Sequence, residues 1–178
     1  MQRVNPEELL AQYATGHREF SAVDVSDADL FEANLSDITL KCSKLTRAYL
    51  PYANLSQANL HLAELPLAQL SDAKLYHTDL SEANLEGANL CRANLRNANL
   101  QGTNLAGANL QQADLYNANL RAANLQGADL TRANLENTNL TEANLRRCNL
   151  FRARHANLSA ARLDATTIHP DGYRRDDE

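Results

Sequence analysis

The sequence predicts an all-β solenoid of very short strands, four sides to a coil, with a short helix over its N-terminal end. Three observations predict it. Leucine stands at every fifth position from Leu30 to Leu150, preceded in the same phase by Phe20 and Val25. Two positions before each leucine the residue is usually alanine, and the exceptions are Ile38, Ser43, Thr78, Thr103, Thr138 and Cys148. Glycine recurs at Gly87, Gly107 and Gly127, and asparagine at Asn97, Asn117 and Asn137, each series returning at every twentieth position.

A five-residue period suits neither regular element. In an α-helix five residues advance about 500°, so the leucines would scatter around the cylinder. In a long strand an odd period would send alternate leucines to opposite faces. The pattern closes only if the chain turns a corner once per unit. Alanine and leucine, two apart, then point inward, and the Asn or Asp between them points outward. The remaining two residues make the corner. Stacking glycine on glycine and asparagine on asparagine requires four units to a coil: three units would align neither series, and two would mix them.

The elements follow in chain order. "NPEELLAQYATG" reads as a helix: Asn5 caps it, Pro6 suits its first turn, Glu8 has capping-box spacing and Gly16 ends it. Leu9, Leu10 and Tyr13 share the face that would cover the first coil around Phe20, Val23 and Val25, as solenoid ends require. The solenoid then runs to Leu150. There the phase slips, since residue 155 should be apolar and is His155, and the motif restarts at Leu158, Leu163 and Ile168. The expectation is three extra residues in "FRARHANL", carried as a bulge or short loop. Pro170 and Gly172 mark a turn, and the last charged residues are expected to be disordered.

The repeated A(D/N)LXX unit, as in "SEANLEGANL", resembles the pentapeptide-repeat family, and the tail "TTIHPDGYRRDDE" resembles the closing segment of its cyanobacterial-type members. The resemblance covers about residues 20–168. It implies a right-handed quadrilateral parallel β-helix over 18–168 with a register slip near 151–157, a capping helix in 1–17 and a tail in 169–178. It further implies a rigid scaffold or protein-interaction module, regulatory in role, and no enzyme. Some members protect DNA gyrase by resembling a DNA rod, so a DNA-mimicking protein that binds this type II topoisomerase is the alternative.

Composition and charge restrict the function classes. Aromatic residues are 5% and tryptophan is absent, which suits a repeat better than an ordinary globule. No apolar run reaches the roughly 18 residues of a membrane span, and "MQRVNPEELL" lacks the apolar core of a secretory signal, so a cytoplasmic setting is expected. Cys42, Cys91 and Cys148 read as free thiols. The five histidines and the outward carboxylates form no paired constellation, so no catalytic site, cofactor or metal is expected. Residues 1–90 hold 13 acidic and 6 basic side chains, whereas 91–178 hold 9 and 11. A DNA mimic would need carboxylates along its whole length, and asparagine dominates the outward position from Asn84 to Asn149.

Two candidate surfaces emerge. Corners are normally polar, yet Tyr49, Pro51, Tyr52, Leu62, Pro66 and Leu67 gather at outward or corner positions and form a candidate protein-contact patch. Arg132, Arg146, Arg147, Arg152 and Arg154 form a candidate basic patch near the C-terminus, for which pairing with Glu136, Glu142 and Asp164 is the structural explanation. Another protein is the expected partner, with self-association open and direct nucleic-acid binding not expected. Tyr76, Arg96 and Tyr116 are expected to stack as a cation–π ladder.

Overall fold

A computed structural model describes residues 1–175. It is a right-handed quadrilateral β-helix with one short N-terminal helix. Parallel bridges join positions twenty apart from Glu19–Thr39 to Asn134–Arg154. One such column, Glu19, Thr39, Asn59, Asp79, Asn99, Asn119 and Asn139, crosses seven coils. With coils about 4.8 Å apart, the rod is on the order of 34 Å long.

Backbone hydrogen bonds explain the unit residue by residue. The leucine N–H donates to the next coil, as Leu30 N does to Tyr49 O at 2.7 Å. The middle residue donates to the previous coil, as Tyr49 N does to Ala28 O at 2.8 Å. The second corner residue also donates forward (Glu32 N to Pro51 O, 3.0 Å), and the alanine N–H closes the corner turn (Ala33 N to Leu30 O, 3.1 Å). That leaves the first corner N–H, which finds the side chain of the middle Asn or Asp: Phe31 N donates to Asp29 Oδ1 at 3.1 Å, and Gln111 N to Asn109 Oδ1 at 3.0 Å. Every backbone donor of such a unit is thereby paired, as burial between stacked coils demands.

Asparagine adds a second bond that aspartate cannot. Its amide donates to the residue one coil earlier, in the run Asn144 to Asn124 (3.0 Å), Asn124 to Asn104 (3.1 Å) and Asn104 to Asn84 (3.1 Å). The second corner residue takes positive φ at unit after unit, for example Tyr52 at 59° and Arg147 at 61°. Positive φ confined to that residue is the type II turn, in which proline suits the first corner position. Pro51 and Pro66 occupy it after Tyr49 and Glu64, which are not Asn or Asp and make no such acceptor bond. Proline removes the donor that would otherwise go unpaired.

Leucines fill the axis and alanines pack beside them, essentially all buried from Leu30 to Leu150 apart from the partly buried Ala33. Where a polar side chain replaces alanine, it donates to a backbone carbonyl of the preceding coil: Ser43 to Phe20 O, Thr78 to Leu55 O, Thr103 to Leu80 O, Thr138 to Leu115 O, and the Cys148 thiol to Leu125 O. No buried side-chain nitrogen or oxygen among the described residues lacks a partner.

At the N-terminus, strand β1 (Gln2–Arg3) pairs in parallel with β2 (Val23–Asp24), an addition the sequence pattern does not announce. Helix α1 (Pro6–Ala14) follows, with Asn5 Oδ1 accepting from Glu7 N at 2.8 Å. The expected capping box is not made: Glu8 instead accepts from Gln12 Nε2 at 3.1 Å. Leu9 is fully buried, and the Tyr13 hydroxyl donates to Ser36 O at 2.9 Å.

The C-terminal slip is a shortening, not an insertion. The regular ladder would pair Asn144 with position 164 and Asn149 with position 169. Instead Asn144 pairs with Arg162 and Asn149 with Ile168. His155 turns out at φ 58° and "ANL" follows at once, so the corner loses two residues. In a five-residue repeat, three extra and two missing give the same phase in the sequence. The ladder distinguishes them. Asp164 then adds one residue, so Thr167, Ile168 and His169 take the alanine, middle and leucine positions. His169 is the buried residue, and the expected core residue Ile168 faces outward, half-buried. The expected disordered end, from residue 176, lies outside the described residues.

Candidate interaction side

One side of the rod carries the middle residues Asp29, Tyr49, Gln69, Asn89, Asn109, Asp129 and Asn149. Leu67 and Arg147 belong to the corner before it, and Tyr52 and Arg152 to the corner after it. At the N-terminal end of this side, Tyr49 is 45%, Tyr52 52% and Leu67 53% exposed, in a molecule whose other apolar side chains are mostly buried.

Phe31, 46% exposed, completes the cluster. Its ring stacks on Tyr49 (centroids 6.1 Å, 18° between planes) and meets Tyr52 edge-on at 6.0 Å. The sequence signal for Phe31 is its place one coil before Pro51, which puts it on the same stack. Pro51 itself is buried and offers no contact surface, and Pro66 is half-buried. Both are explained by the corner hydrogen bonds. Leu62 is exposed but lies one corner further back, separated from Leu67 by Glu64, so it belongs to a different side.

The arginines converge on the other end of the same side. Arg146 and Arg147 hold the corner before it, and Arg132 and Arg152 the corner after it. Arg154 stands in the middle of the neighbouring side, bridged to Asn134. Among the described residues none of these five makes a salt bridge. Glu142 pairs with Arg121 instead (3.6 Å), and Asp164 accepts from the Arg147 backbone N–H (3.2 Å). The Arg152 guanidinium lies over the Phe151 ring, 4.9 Å from its centre. Ion pairing among the described residues thus does not account for the cluster.

Charge reverses along this side. Its N-terminal part carries Asp27, Asp29, Glu32, Asp72 and Glu86 against Arg47 and Arg92, which pair with Asp27 at 2.8 Å and Asp72 at 2.6 Å. Its C-terminal part carries the four arginines against Asp129, whose carboxylate is held by Gln111 at 2.6 Å, Asp164, which accepts from the Arg147 backbone N–H, and Asp171, which Arg175 pairs at 2.9 Å. Between them the charged side chains give way to glycine and glutamine, with Gln112 and Gln126 exposed. Gly107 and Gly127 occupy the leading corner, and a Cβ at either would meet nothing within 4 Å. Gly87 lies under Leu67, whose Cδ2 would be 2.8 Å from an added Cβ.

Other chemistry is sparse. Among the described residues no three His, Cys, Asp or Glu side chains gather to hold a metal ion, and no helix is long and apolar enough to cross a membrane. The Nδ1 of His61 is taken up by Ser81, 2.9 Å from its hydroxyl. All three cysteines are free, and burial pushes the Cys148 thiol up to about 12. The expected aromatic ladder is half made: Arg96 lies over Tyr116 at 4.5 Å and pairs with Asp114, while Tyr76 packs edge-on against His77.

A family model described as pentapeptide repeats matches in 8 copies, over residues 28–65, 68–105, 98–137, 118–154 and 128–169. Among solved structures, HetL, a pentapeptide repeat protein involved in heterocyst differentiation regulation from the cyanobacterium Nostoc sp. strain PCC 7120, is 30% identical over 97% of this chain and 100% of its own, with a TM-score of 0.41. Rfr23 from the cyanobacterium Cyanothece 51142 is 31% identical over 90% and 96%, with a TM-score of 0.33. QnrB1, a plasmid-mediated fluoroquinolone resistance protein, is 22% identical over 82% and 79%, with a TM-score of 0.52, a likeness of fold. No curated protein matches the chain.

Proposed function

The chain belongs to the pentapeptide-repeat family, and from that premise we propose that it is a rigid, non-enzymatic rod that binds protein through the Tyr49 side. The observation that carries this reading is the meeting, on one side, of exposed Phe31, Tyr49, Tyr52 and Leu67 with arginines that have no carboxylate partner among the described residues. An exposed apolar cluster on a rod whose other exposed apolar corner residues, such as Leu62 and Tyr76, stand on other corners is what an interface needs. Aromatic and arginine side chains are the types enriched at interface centres. A regulatory role in the cytoplasm, without a cofactor, fits this reading, and HetL is a relative with a regulatory involvement.

The runner-up, a DNA mimic bound by a type II topoisomerase, requires a negative surface from end to end. Arg132, Arg146, Arg147 and Arg152 oppose it. The test is affinity capture with the purified wild type and a Tyr49→Ser/Tyr52→Ser/Leu67→Ser variant that melts alike, alongside a gyrase supercoiling assay. A protein held by the wild type and lost by the variant, with supercoiling unaffected, is expected. Inhibition of supercoiling that the triple variant retains would replace this reading with the runner-up.

A further inference from the structure

We propose that the protein bound on the Tyr49 side is a second copy of this chain, lying antiparallel so that the aromatic, acidic end of each rod covers the arginine end of the other. The inference rests on the reading of that side as a protein-binding surface and names its occupant.

The side is self-complementary in an antiparallel sense only. A dyad lying in the interface and perpendicular to the rod axis reverses the rod while keeping each corner over the same corner of its partner. Leu67 and Arg147 lie on one corner column, four coils apart, and Tyr52 and Arg152 on the other, five coils apart. The dyad therefore falls near Gly107, and both pairings form together. Rings of Tyr49 and Tyr52 then face guanidinium groups, an arrangement that gains from desolvation. Asp29 and Glu32 come within about a coil of Arg152, a step on the order of 4.8 Å. A parallel pairing would set acid on acid and arginine on arginine.

The middle of the side permits close approach. Gly107 and Gly127 leave the leading corner only Ala106 and Gln126, and the amides of Asn89 and Asn109 are tied into their ladder at 3.3 Å. The opposite side lacks this pattern: it carries Glu19 and Asp37 with Lys41 at one end, Asp79 and Glu82 at its middle, and Glu136 and Glu142 with Arg121 at the other end.

Sedimentation velocity on the full chain tests the proposal. The wild type should dimerise at low salt, and raising salt from about 50 to 500 mM should weaken the dimer at least tenfold, because its charges lie at the rim. Two charge-reversal variants supply the decisive arm. Arg146→Glu/Arg147→Glu/Arg152→Glu makes both ends acidic, and Asp27→Lys/Glu32→Lys turns the acidic end basic. Each alone should lose dimerisation by about tenfold or more, while an equimolar mixture should form a heterodimer within about threefold of wild-type strength. Matching thermal melts establish that the variants fold. A wild type monomeric at low salt, a dimer that ignores both reversals, or a mixture that stays monomeric overturns the proposal. If the wild type is monomeric yet captures another protein through Tyr49, Tyr52 and Leu67, the antiparallel pair fails and the binding role of the side stands.

Discussion

At its N-terminal end the rod is closed by residues from outside the repeat, and at its C-terminal end by the repeat itself running out of phase. Strand β1 pairs with β2 and Val4 N donates to Asp24 O at 3.0 Å, while Leu9 of α1 seals the leucine column with no exposure. The apolar core is covered there, and the backbone edge on the Val23–Asp24 side. The C-terminal end pairs ladder donors on two sides and leaves more of its core open. Donors of the last full coil find carbonyls in the shortened one (Leu145 N to Arg162 O, 2.8 Å; Leu150 N to Ile168 O, 2.8 Å). Its core is left partly open, with Leu158 and Leu163 half-buried along a shallow cleft of about 570 Å³ beside His169 and Pro170. Ending a ladder and ending a core are thus separate problems, and a solenoid can solve one without the other.

The largest expected effect comes from removing one terminus and then the other. Deleting residues 1–17 uncovers Phe20, Val25 and Leu30 and leaves the first ladder edge unpaired, so soluble expression should collapse into aggregate. Deleting 174–178 removes Arg175, whose bridge to Asp171 at 2.9 Å is exposed, and should change stability by no more than about 0.5 kcal/mol. Soluble yield and thermal melts measure both. Equal tolerance would mean that α1 is not the closing element.

Single leucines sharpen the contrast. Leu9→Ala empties a fully buried site at the capped end and should cost about 2–5 kcal/mol. Leu163→Ala, at a site already half open, should cost about 1 kcal/mol, because much of its surface never left water. Chemical denaturation of the two variants gives both numbers, and equal losses would show the C-terminal core to be as tightly closed as the other.

Between the ends lies the regular repeat, and its outward side chains are less neutral than their position suggests. Asn99 donates to Asp79 Oδ1 at 3.0 Å and receives Asn119 Nδ2 at 3.2 Å. Asn99→Asp deletes that donor and stacks two carboxylates on adjacent coils, a loss of about 1–1.5 kcal/mol. Asn104→Asp, whose neighbours are Asn84 and Asn124, should lose only about 0.5–1 kcal/mol. Melts of the two variants at neutral pH measure the difference, and it should vanish once the carboxylates are protonated.

The coil is legible in the sequence because leucine spacing and corner spacing are imposed by independent requirements, a filled axis and stackable turns. The ends are not legible to the same degree. The slip after Leu150 is ambiguous modulo five, so only the ladder from Asn144 to Arg162 reveals two residues missing, and with it the burial of His169 in place of Ile168. On the surface, Tyr49, Tyr52 and Leu67 stand out as corner exceptions. Pro51 misleads because it is buried within its own stack and serves the hydrogen-bond pattern. Phe31 escapes notice at a single corner, although the step of one coil to Pro51 points to it. That Arg132, Arg146, Arg147 and Arg152 share a side with the aromatic cluster follows from the same step, but only after the sides are tracked across five coils.

The smallest expected effect concerns what holds the open end in place. Asp164, the residue added within the shortened coil, accepts from the Thr166 hydroxyl at 2.7 Å and from the backbone N–H groups of Thr166 (3.0 Å) and Arg147 (3.2 Å). These bonds, the Thr166 hydroxyl foremost, hold its carboxyl down at about 2, below the usual 3.8. A carboxyl depressed in the folded state contributes stability above its unfolded value and loses it as pH falls toward its folded value. The wild type should therefore melt above an Asp164→Asn variant at pH 5 to 7, and the gap should close between about pH 4 and pH 2. The carboxyl stays in contact with water, so the gap in melting temperature is expected to be small. A second reading localises it. Cys148 lies beneath this coil, with Ile168 N donating to its carbonyl at 2.9 Å, and its buried thiol should resist alkylation at pH 7 while Cys42 and Cys91 react. Loosening the coil by Asp164→Asn should speed the labelling of Cys148 and leave the other two unchanged. Unaltered labelling, or a melting gap that persists at pH 2, would remove Asp164 as the pin of the C-terminal end.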